Sequence, residues 1–346
     1  VNQMIKCIVW DLDDTIWEGT LRENADNIIL RPGIEQVLVE LDQRGILHSI
    51  ASRNRLDQVV SKLEEFGIAQ YFVSLQCHFS SKAISLRQIA MELNIGLEAL
   101  AFVDNDSFER FEMNYYYPQV LTFDAQYYLE LPKSPSLQVR DVTEESANRR
   151  HYMLARQQRK AAERGFQGSR EQFLKECQMV LQIQQADPGD YPRIVELSHR
   201  TNQMNSLLER IDRPFVESFC QLKQHMIYVA RLKDRFGDHG LIGTCFVALE
   251  GNAMKIRLFC ISCRIEGRGV AAAFLYTVLK RLVLKWPQMR EMHCLLARKE
   301  RNLPARLLLE MLGFHKLEEQ ENKEYIKYQL NLPLADRTFD WLEIGE

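Results

Sequence analysis

Two consecutive α/β domains are what the sequence predicts, the first on a parallel sheet and the second on a mixed one. Three observations carry this. Over residues 1–135 strand-like and helix-like segments alternate, and β-α-β-α order implies a parallel sheet with helices on both faces. Pro132 and Pro135 then break the pattern, and from about residue 176 strands and helices follow in a different, mixed order. The length, 346 residues with 46% apolar and 26% charged side chains, suffices for two ordinary cores.

In the first domain the expected strands are Ile5–Asp11, Ile46–Ser52, Tyr71–Leu75, Leu100–Asp104 and Gln119–Phe123. Three helices lie between them. Ile34, Val37, Leu38 and Leu41 form one apolar face before Gly45; Leu56, Val59, Val60 and Leu63 a second before Gly67; Leu86, Ile89, Ala90 and Leu93 a third before Gly96. Helical spacing closed by glycine is a stop signal. Residues 136–175 read as a linker with a basic helical stretch: Arg149, Arg150, Arg156, Arg159, Lys160 and Arg164 stand against a single Glu163. Such a stretch is a solvated face or a docking surface for an acidic partner. The second domain, 176–333, has expected strands Met226–Leu232, Leu241–Leu249, Lys255–Ile261 and Glu291–Leu296, a turn Cys263–Gly269 and an apolar helix Val270–Lys285. Residues 334–346 form a short acidic tail, expected to be peripheral.

Composition excludes several roles. A net charge of −3 gives no general case for nucleic-acid binding. No apolar run reaches membrane-span length, and no signal-peptide pattern opens the chain. Eight cysteines without framework spacing imply reduced thiols and a cytoplasmic setting. The start at Val1, just before the first strand, fits a domain of a longer polypeptide or a trimmed chain.

The first strand ends in Asp11-Leu12-Asp13-Asp14-Thr15. Residues i and i+2 of a strand face the same way, so Asp11 and Asp13 are expected to emerge together at the carboxyl end, where open parallel sheets bind ligands. Paired hard oxygens suit Mg²⁺ and phosphoryl chemistry. The motif resembles the first motif of the haloacid-dehalogenase (HAD) phosphotransferases, which implies a HAD-like, Rossmann-like domain with Asp11 attacking phosphorus and Asp13 shuttling the proton. Successive strand ends supply matching pieces. Ser52, with Arg53 and Asn54, would hold the phosphate; Lys82 would neutralise charge; Asp104 would join Asp11 and Asp13 as a metal ligand, with Glu109 behind it. No large insertion provides a cap, and only Ile16–Pro32 could fold over the site. A site so open suits a bulky or tethered substrate, or one covered by the second domain.

Further segments are similar to the FkbH-like proteins of polyketide biosynthesis: Asp11–Glu18, Ile50–Asn54, Thr201–Asn205, Asp234–Gly243 and Ser262–Val270. The similarity runs over about residues 4–333. It implies transfer of a glyceryl unit from 1,3-bisphosphoglycerate to the phosphopantetheine thiol of a holo acyl carrier protein, with dephosphorylation, sometimes as a domain of a larger synthase. Departures from the family pattern fall at Ala51, Asp14, Asn105 and the stretch Gln76–Lys82, where the lysine is kept. Three routes are open for the acyl group: a thiolate of Cys7, which shares a strand face with Asp11; a thiolate of Cys77, whose neighbour His78 could lower its pKa; or direct transfer to the carrier.

In the second domain, Arg264-x-x-Gly267-Arg268-Gly269 before a helix is similar to the pyrophosphate loop of GNAT acyltransferases, so a GNAT-like fold is expected. Glycines let backbone N–H groups approach an oxyanion. That loop would take the carrier's phosphopantetheine phosphate, with Thr201, Asn202 and Asn205 lining the arm's path. Two other functions fit the same residues: a plain HAD phosphatase with a non-catalytic binding domain, or an acetyl-CoA-dependent N-acyltransferase.

Overall fold

The computed structural model describes residues 5–23, 27–138, 143–265, 267–317 and 324–345. Val1, Glu266 and Glu346, which three sequence expectations touch, lie outside them. The chain divides into two compact units, Val1–Leu154 and Ala155–Glu346. The stretch read as a linker, 136–175, is thereby shared between the units.

The first unit is the expected parallel sheet. Its strands are β1 (Cys7–Trp10), β4 (Leu47–Ser52), β5 (Phe72–Cys77), β6 (Leu100–Asp104) and β7 (Leu121–Asp124), in the order β5-β4-β1-β6-β7 with every pair parallel. A separate two-stranded hairpin, β2 (Trp17–Glu18) and β3 (Ile29–Leu30), occupies the segment after Thr15. The central strand β1 is buried along its whole length, as a parallel strand covered on both faces must be. Helices α1 (Ile34–Gln43), α2 (Leu56–Glu65), α3 (Lys82–Leu93) and α4 (Ser107–Tyr116) follow strands in alternation. The expected glycines stop α1 and α2, with Gly45 and Gly67 at positive φ. For α3 the stop is Asn94 instead of Gly96: Asn94 sits at φ 55, ψ 51 and its N–H caps the helix carbonyls. Asparagine tolerates the left-handed conformation, which is why the signal sits two residues before the glycine.

Two buried polar links tie the layers of this unit. Trp10 Nε1 donates to His48 Nδ1 at 3.0 Å, and His48 Nε2 lies 3.0 Å from the Leu38 carbonyl. Because Trp10 fills Nδ1 as a donor, Nε2 carries the hydrogen and donates to Leu38. One neutral imidazole thus joins β1, β4 and α1. The second link is the Arg150 Nε–Asp42 pair at 3.1 Å, which fastens the start of α6 (Arg149–Gly165) to α1. Beside it, a Cβ on Gly45 would stand 2.6 Å from the Ser146 carbonyl, so the close approach there requires glycine.

The second unit is a mixed eight-stranded sheet, ordered β13-β14-β12-β11-β10-β9-β8-β15. The strands are β8 (Met179–Gln185), β9 (His225–Asp234), β10 (Gly237–Glu250), β11 (Ala253–Ile261), β12 (Glu291–Ala297), β13 (His315–Lys316), β14 (Tyr325–Asn331) and β15 (Leu342–Gly345). The long apolar helix α10 spans Val270–Lys285, as expected, and packs in the main core with Phe173, Phe259 and Leu309. The acidic tail is not peripheral: β15 adds to β8 in parallel register from Leu342↔Met179 to Gly345↔Gln182. Its four pairing residues carry too little hydrophobic periodicity to be recognised before the partner strand is known. The basic stretch is corrected too. Arg156 and Arg159 are 8% and 6% exposed, so they face the interior and do not form a solvated docking stripe. Among the described residues no helix is long and apolar enough to cross a membrane. All eight cysteines are free thiols.

Burial pushes the His48 pKa down to about 4. The unfolded chain takes up that proton near pH 6.5, so it binds more protons than the folded chain between the two values. Stability is therefore fully present above about pH 6.5 and falls by on the order of 3 kcal/mol as pH drops toward 4. Urea unfolding of the wild type and of His48→Asn across pH 4–8 measures this. The variant starts less stable and shows a shallower loss below pH 6.5.

Candidate active site

The carboxyl ends of the parallel strands collect the residues that the motifs singled out. Cys77 pairs in register with Ser52, Trp10 with Ile50 and Val103, and Asp104 with Asp124. Asp11 follows β1 directly, and its N–H donates to the Val103 carbonyl at 2.9 Å, which extends the register with β6 by one residue.

The centre is a three-residue ion cluster. Lys82 Nζ lies 2.7 Å from Asp11 Oδ1 and 2.7 Å from Asp104 Oδ2. All three are buried. Lys82 reaches inward because it is the first residue of α3, held there by the N-cap Ser81, whose hydroxyl accepts from the Ala83 N–H. Asp104 Oδ1 accepts from the Asp106 N–H at 2.8 Å. Burial drives the Asp11 carboxyl up to about 7; Lys82 opposes this and the Asp104 charge adds to it. Burial also works against the Lys82 ammonium, but its two carboxylate partners outweigh it and raise its pKa.

Asp13 takes a different position from the one expected. Its Oδ1 accepts from Trp17 Nε1 at 2.9 Å and from the Leu21 N–H at 3.1 Å, and its Oδ2 accepts from Asn54 Nδ2 at 2.9 Å. Both oxygens are thus engaged by donors from the hairpin segment and the loop after β4. Asn54 serves Asp13 and does not present its amide as a free phosphate ligand. The same amide and the Asn54 N–H both donate to Ser52 Oγ at 3.2 Å. The Ser52 oxygen is therefore an acceptor toward Asn54, and its own hydrogen is left to donate to a substrate oxygen. Arg53 is half-exposed and pairs with Glu109 at 2.6 Å. Burial raises the Glu109 pKa, against the pull of Lys82 and Arg53, and its Oε2 has no hydrogen-bond partner. Thr15 Oγ1 accepts from the Asn105 N–H at 3.2 Å, tying the motif loop to the loop after β6.

Hard oxygen donors are what Mg²⁺ takes. One ammonium against two buried carboxylates leaves surplus negative charge at Asp11 and Asp104, and Glu109, paired with Arg53 through Oε1, has its Oε2 without a hydrogen-bond partner among the described residues. These residues fit the ion, with Asp11 and Asp104 as the donors. Asp13 does not belong with them as its carboxylate stands. Among the described residues no three His, Cys, Asp or Glu side chains are gathered to hold a metal.

Neither cysteine has the environment of a reactive thiolate. Cys7 is fully buried at the far end of β1 against Ser49, and burial pushes its thiol up to about 12. Four residues of strand separate it from Asp11, roughly 13 Å. Cys77 stands at the correct edge, but burial pushes it up to about 11. His78 does not lower it: its Nε2 is bonded to Ser85 Oγ at 3.1 Å, turning the ring toward α3.

In the second unit, Gly267 and Gly269 have φ 77 and 72 and lead into α10 as the turn required. They border an apolar cavity of about 230 Å³ with Met204, Cys263, Leu307 and Met311. Arg268 points the other way. It is fully buried, and its Nη1 donates to Asp234 Oδ2 at 2.8 Å beside His239. Through Nη1 it anchors the turn to the β9–β10 hairpin, while its buried Nε and Nη2 have no hydrogen-bond partner among the described residues. Arg264 Nε donates to Ser262 Oγ at 3.1 Å. Asn205 is consumed by its own loop, donating to the Ser198 and Glu209 carbonyls and accepting from the Leu208 N–H. Asn202 accepts from Arg210, and Thr201 is buried after α8 (Tyr191–Arg200). The 201–205 segment is therefore a structural wedge: Ile261 N–H donates to the Met204 carbonyl, and Ser206 bridges Phe259 of β11 and Ala297 of β12.

Trp17 is the residue of the candidate site that the motif reading missed. Its spacing of four from Asp13 is the signal available in the sequence, but only the hairpin turn, with Asp14 at φ 50, brings the indole back to the carboxylate.

No protein-family model matches the sequence, and no curated protein matches it. Similar solved structures include the N-terminal part of a Bacteroides fragilis protein containing a phosphatase domain, complexed with Mg. It is 26% identical over 40% of this chain and 42% of that one, with TM-score 0.35. The chain thus spans less than half the length of that structure. The ribosomal-protein-S18-alanine N-acetyltransferase of Escherichia coli is 12% identical over 46% of this chain and 98% of its own, with TM-score 0.37. A Methanocaldococcus jannaschii domain is 18% identical over 44% and 98%, with TM-score 0.36. These likenesses are too loose to assign a role to any residue.

Replacing Lys82 with Met leaves two buried carboxylates without their cation. The expected cost is about 3–5 kcal/mol, larger at pH 8 than at pH 6 because more of the carboxylate charge is then present. Urea denaturation of wild type and variant in chelator at both pH values checks it; an equal loss at both would separate Lys82 from the ionisation of Asp11 and Asp104.

Proposed function

We propose that the chain is a Mg²⁺-dependent phosphoryl-transfer enzyme of the FkbH-like type. It removes phosphate and loads a glyceryl unit from 1,3-bisphosphoglycerate onto the phosphopantetheine thiol of a holo acyl carrier protein. The observation that carries this is the Asp11–Lys82–Asp104 cluster at the carboxyl edge of the parallel sheet. Bound at Asp11 and Asp104, Mg²⁺ would neutralise phosphoryl oxygens.

The side chains divide the remaining work. An Asp11 carboxylate oxygen attacks phosphorus, the P–O bond to the leaving group breaks, and an aspartyl phosphate forms. Lys82 balances the charge that accumulates on Asp11 and the transferring group. The Ser52 hydroxyl donates to a phosphoryl oxygen. Asp13, aimed by Trp17, Leu21 and Asn54, gives a proton to the leaving oxygen. It then takes one from the water that cleaves the aspartyl phosphate, returning Asp11 and releasing inorganic phosphate. With both cysteine thiols pushed up by burial, direct capture is the route the chemistry favours: the carrier thiol attacks the acyl carbonyl, the C–O bond to the acyl phosphate breaks and inorganic phosphate leaves with the thiol proton, while the Asp11 cycle removes the other phosphate, the 3-phosphomonoester.

Asp11→Asn removes the nucleophile while keeping the shape. Phosphate release is expected to fall at least a thousandfold with the fold unchanged by circular dichroism, and wild-type turnover in this variant would overturn the assignment of the nucleophile.

Loading is tested by intact mass of a holo carrier protein after incubation with enzyme, Mg²⁺ and 1,3-bisphosphoglycerate. A glyceryl increment on the carrier and none on the enzyme is expected. Phosphate release without any carrier adduct would reduce the function to a plain phosphatase, and an adduct on Cys77 would restore the enzyme-thioester route.

A further inference from the structure

The outward face of α4 is aromatic where a solvent-facing helix is ordinarily polar. Phe108, Phe111 and Tyr115 recur at i, i+3 and i+7 and are 65%, 69% and 75% exposed; Tyr116 is 57% exposed. The opposite side docks the helix. Glu109 and Met113 are buried, Arg110 pairs with Asp124 of β7, and Asn114 donates to Thr122 of β7. Of the carboxylates near the stripe, Asp106 caps the helix by accepting from the Phe108 N–H, and Glu112 accepts from Ser81 Oγ at 2.9 Å. Ser81 is flanked in sequence by two further exposed apolar side chains, Phe79 and Ile84. Exposed apolar patches of this kind mark interaction sites.

The stripe starts at the active site. α4 opens three residues after Asp104, so Phe108 stands at the carboxyl edge of the sheet, and the stripe runs roughly 10 Å from there along the helix. We propose that this aromatic face is the docking surface for the protein that brings the substrate to Asp11 on a flexible tether. The inference rests on the function proposed above, in which that protein is the holo acyl carrier protein.

Three considerations select this occupant. First, among the described residues the segment between Thr15 and α1 holds only the short β2–β3 hairpin, so a tethered group that reaches Asp11 brings its parent protein to the rim where α4 begins. Second, the four aromatic side chains expose roughly 500 Å². That is below the roughly 800 Å² per partner of a standard complex and far below an obligate dimer. The area suits a partner that loads and leaves, not a permanent second copy. Third, stiff aromatic side chains lose little entropy on contact and dominate interface energies. A stripe at i, i+3 and i+7 accepts the apolar ridge of one partner helix.

The test is the triple variant Phe108→Ser, Phe111→Ser, Tyr115→Ser, with none of the three in the catalytic cluster. Turnover of p-nitrophenyl phosphate is expected within twofold of wild type, as is kcat for holo carrier loading, while the KM for holo carrier rises at least tenfold. The single variant Phe111→Arg repeats the measurement if the triple variant fails to fold. An unchanged KM for carrier overturns the proposal. So does a wild type that sediments as a dimer while the variant sediments as a monomer, because the stripe then belongs to a second copy. Wild type that turns over p-nitrophenyl phosphate but loads no carrier removes the proposed function and this inference together; equal loading by wild type and variant removes the inference alone.

Discussion

Everything at the carboxyl edge of the first unit depends on one ammonium between two carboxylates. Asp11 comes from the central strand and Asp104 from its neighbour, and both are buried where an unpaired charge would be costly. Lys82, from the start of α3, makes their coexistence tolerable. The cluster is also poised: one positive charge does not balance two negatives, so the site retains affinity for a further cation or for a proton on Asp11. A balanced cluster would hold the edge together equally well and would have no reason to engage phosphate or metal. In the proposed reaction the chemistry comes from the imbalance.

A second layer of hydrogen bonds gives each oxygen one orientation. Asn54 serves Ser52 and Asp13 at once, Thr15 ties the motif loop to Asn105, and Arg53 reaches across to Glu109. These residues come from the loops after three parallel strands, β1, β4 and β6, and from the first turn of α4. A parallel sheet delivers this economically, because all its strand ends of one kind lie on one edge.

The sequence made the first unit legible because its signals are local. Apolar periodicity, terminal glycines and carboxylates after strands each occupy a few residues, and β6 falls on its expected bounds, Leu100–Asp104. What it could not convey was orientation. Asp11 and Asp13 have the spacing of one face, yet the chain leaves strand conformation after Trp10, and Asp13 turns to Trp17 and Asn54. Arg156, Arg159 and Arg268 look like surface charge in a one-dimensional reading, but they are interior because Asp234 and Glu163 wait for two of them. Asn205 and Thr201 fail as ligands for the same reason: a polar side chain declares its capacity for hydrogen bonds and not its partner. The strand β15 was hidden because pairing across more than 150 residues leaves no mark in either segment.

The bond from Trp17 to Asp13 has a spectroscopic consequence. An indole whose N–H is held by a carboxylate emits according to the charge and polarity at that carboxylate. In the proposed reaction Asp13 exchanges a proton with the leaving oxygen, and Trp17 is buried beside Phe66, away from bulk water. The protein therefore carries its own optical reporter within the active site. Among the described residues Trp17 alone of the tryptophans donates its indole N–H to a carboxylate, whereas Trp10 donates to His48 and Trp341 to the Arg268 carbonyl. Titrating phosphate analogues or divalent ions against its fluorescence would follow occupancy directly, with no label and no turnover.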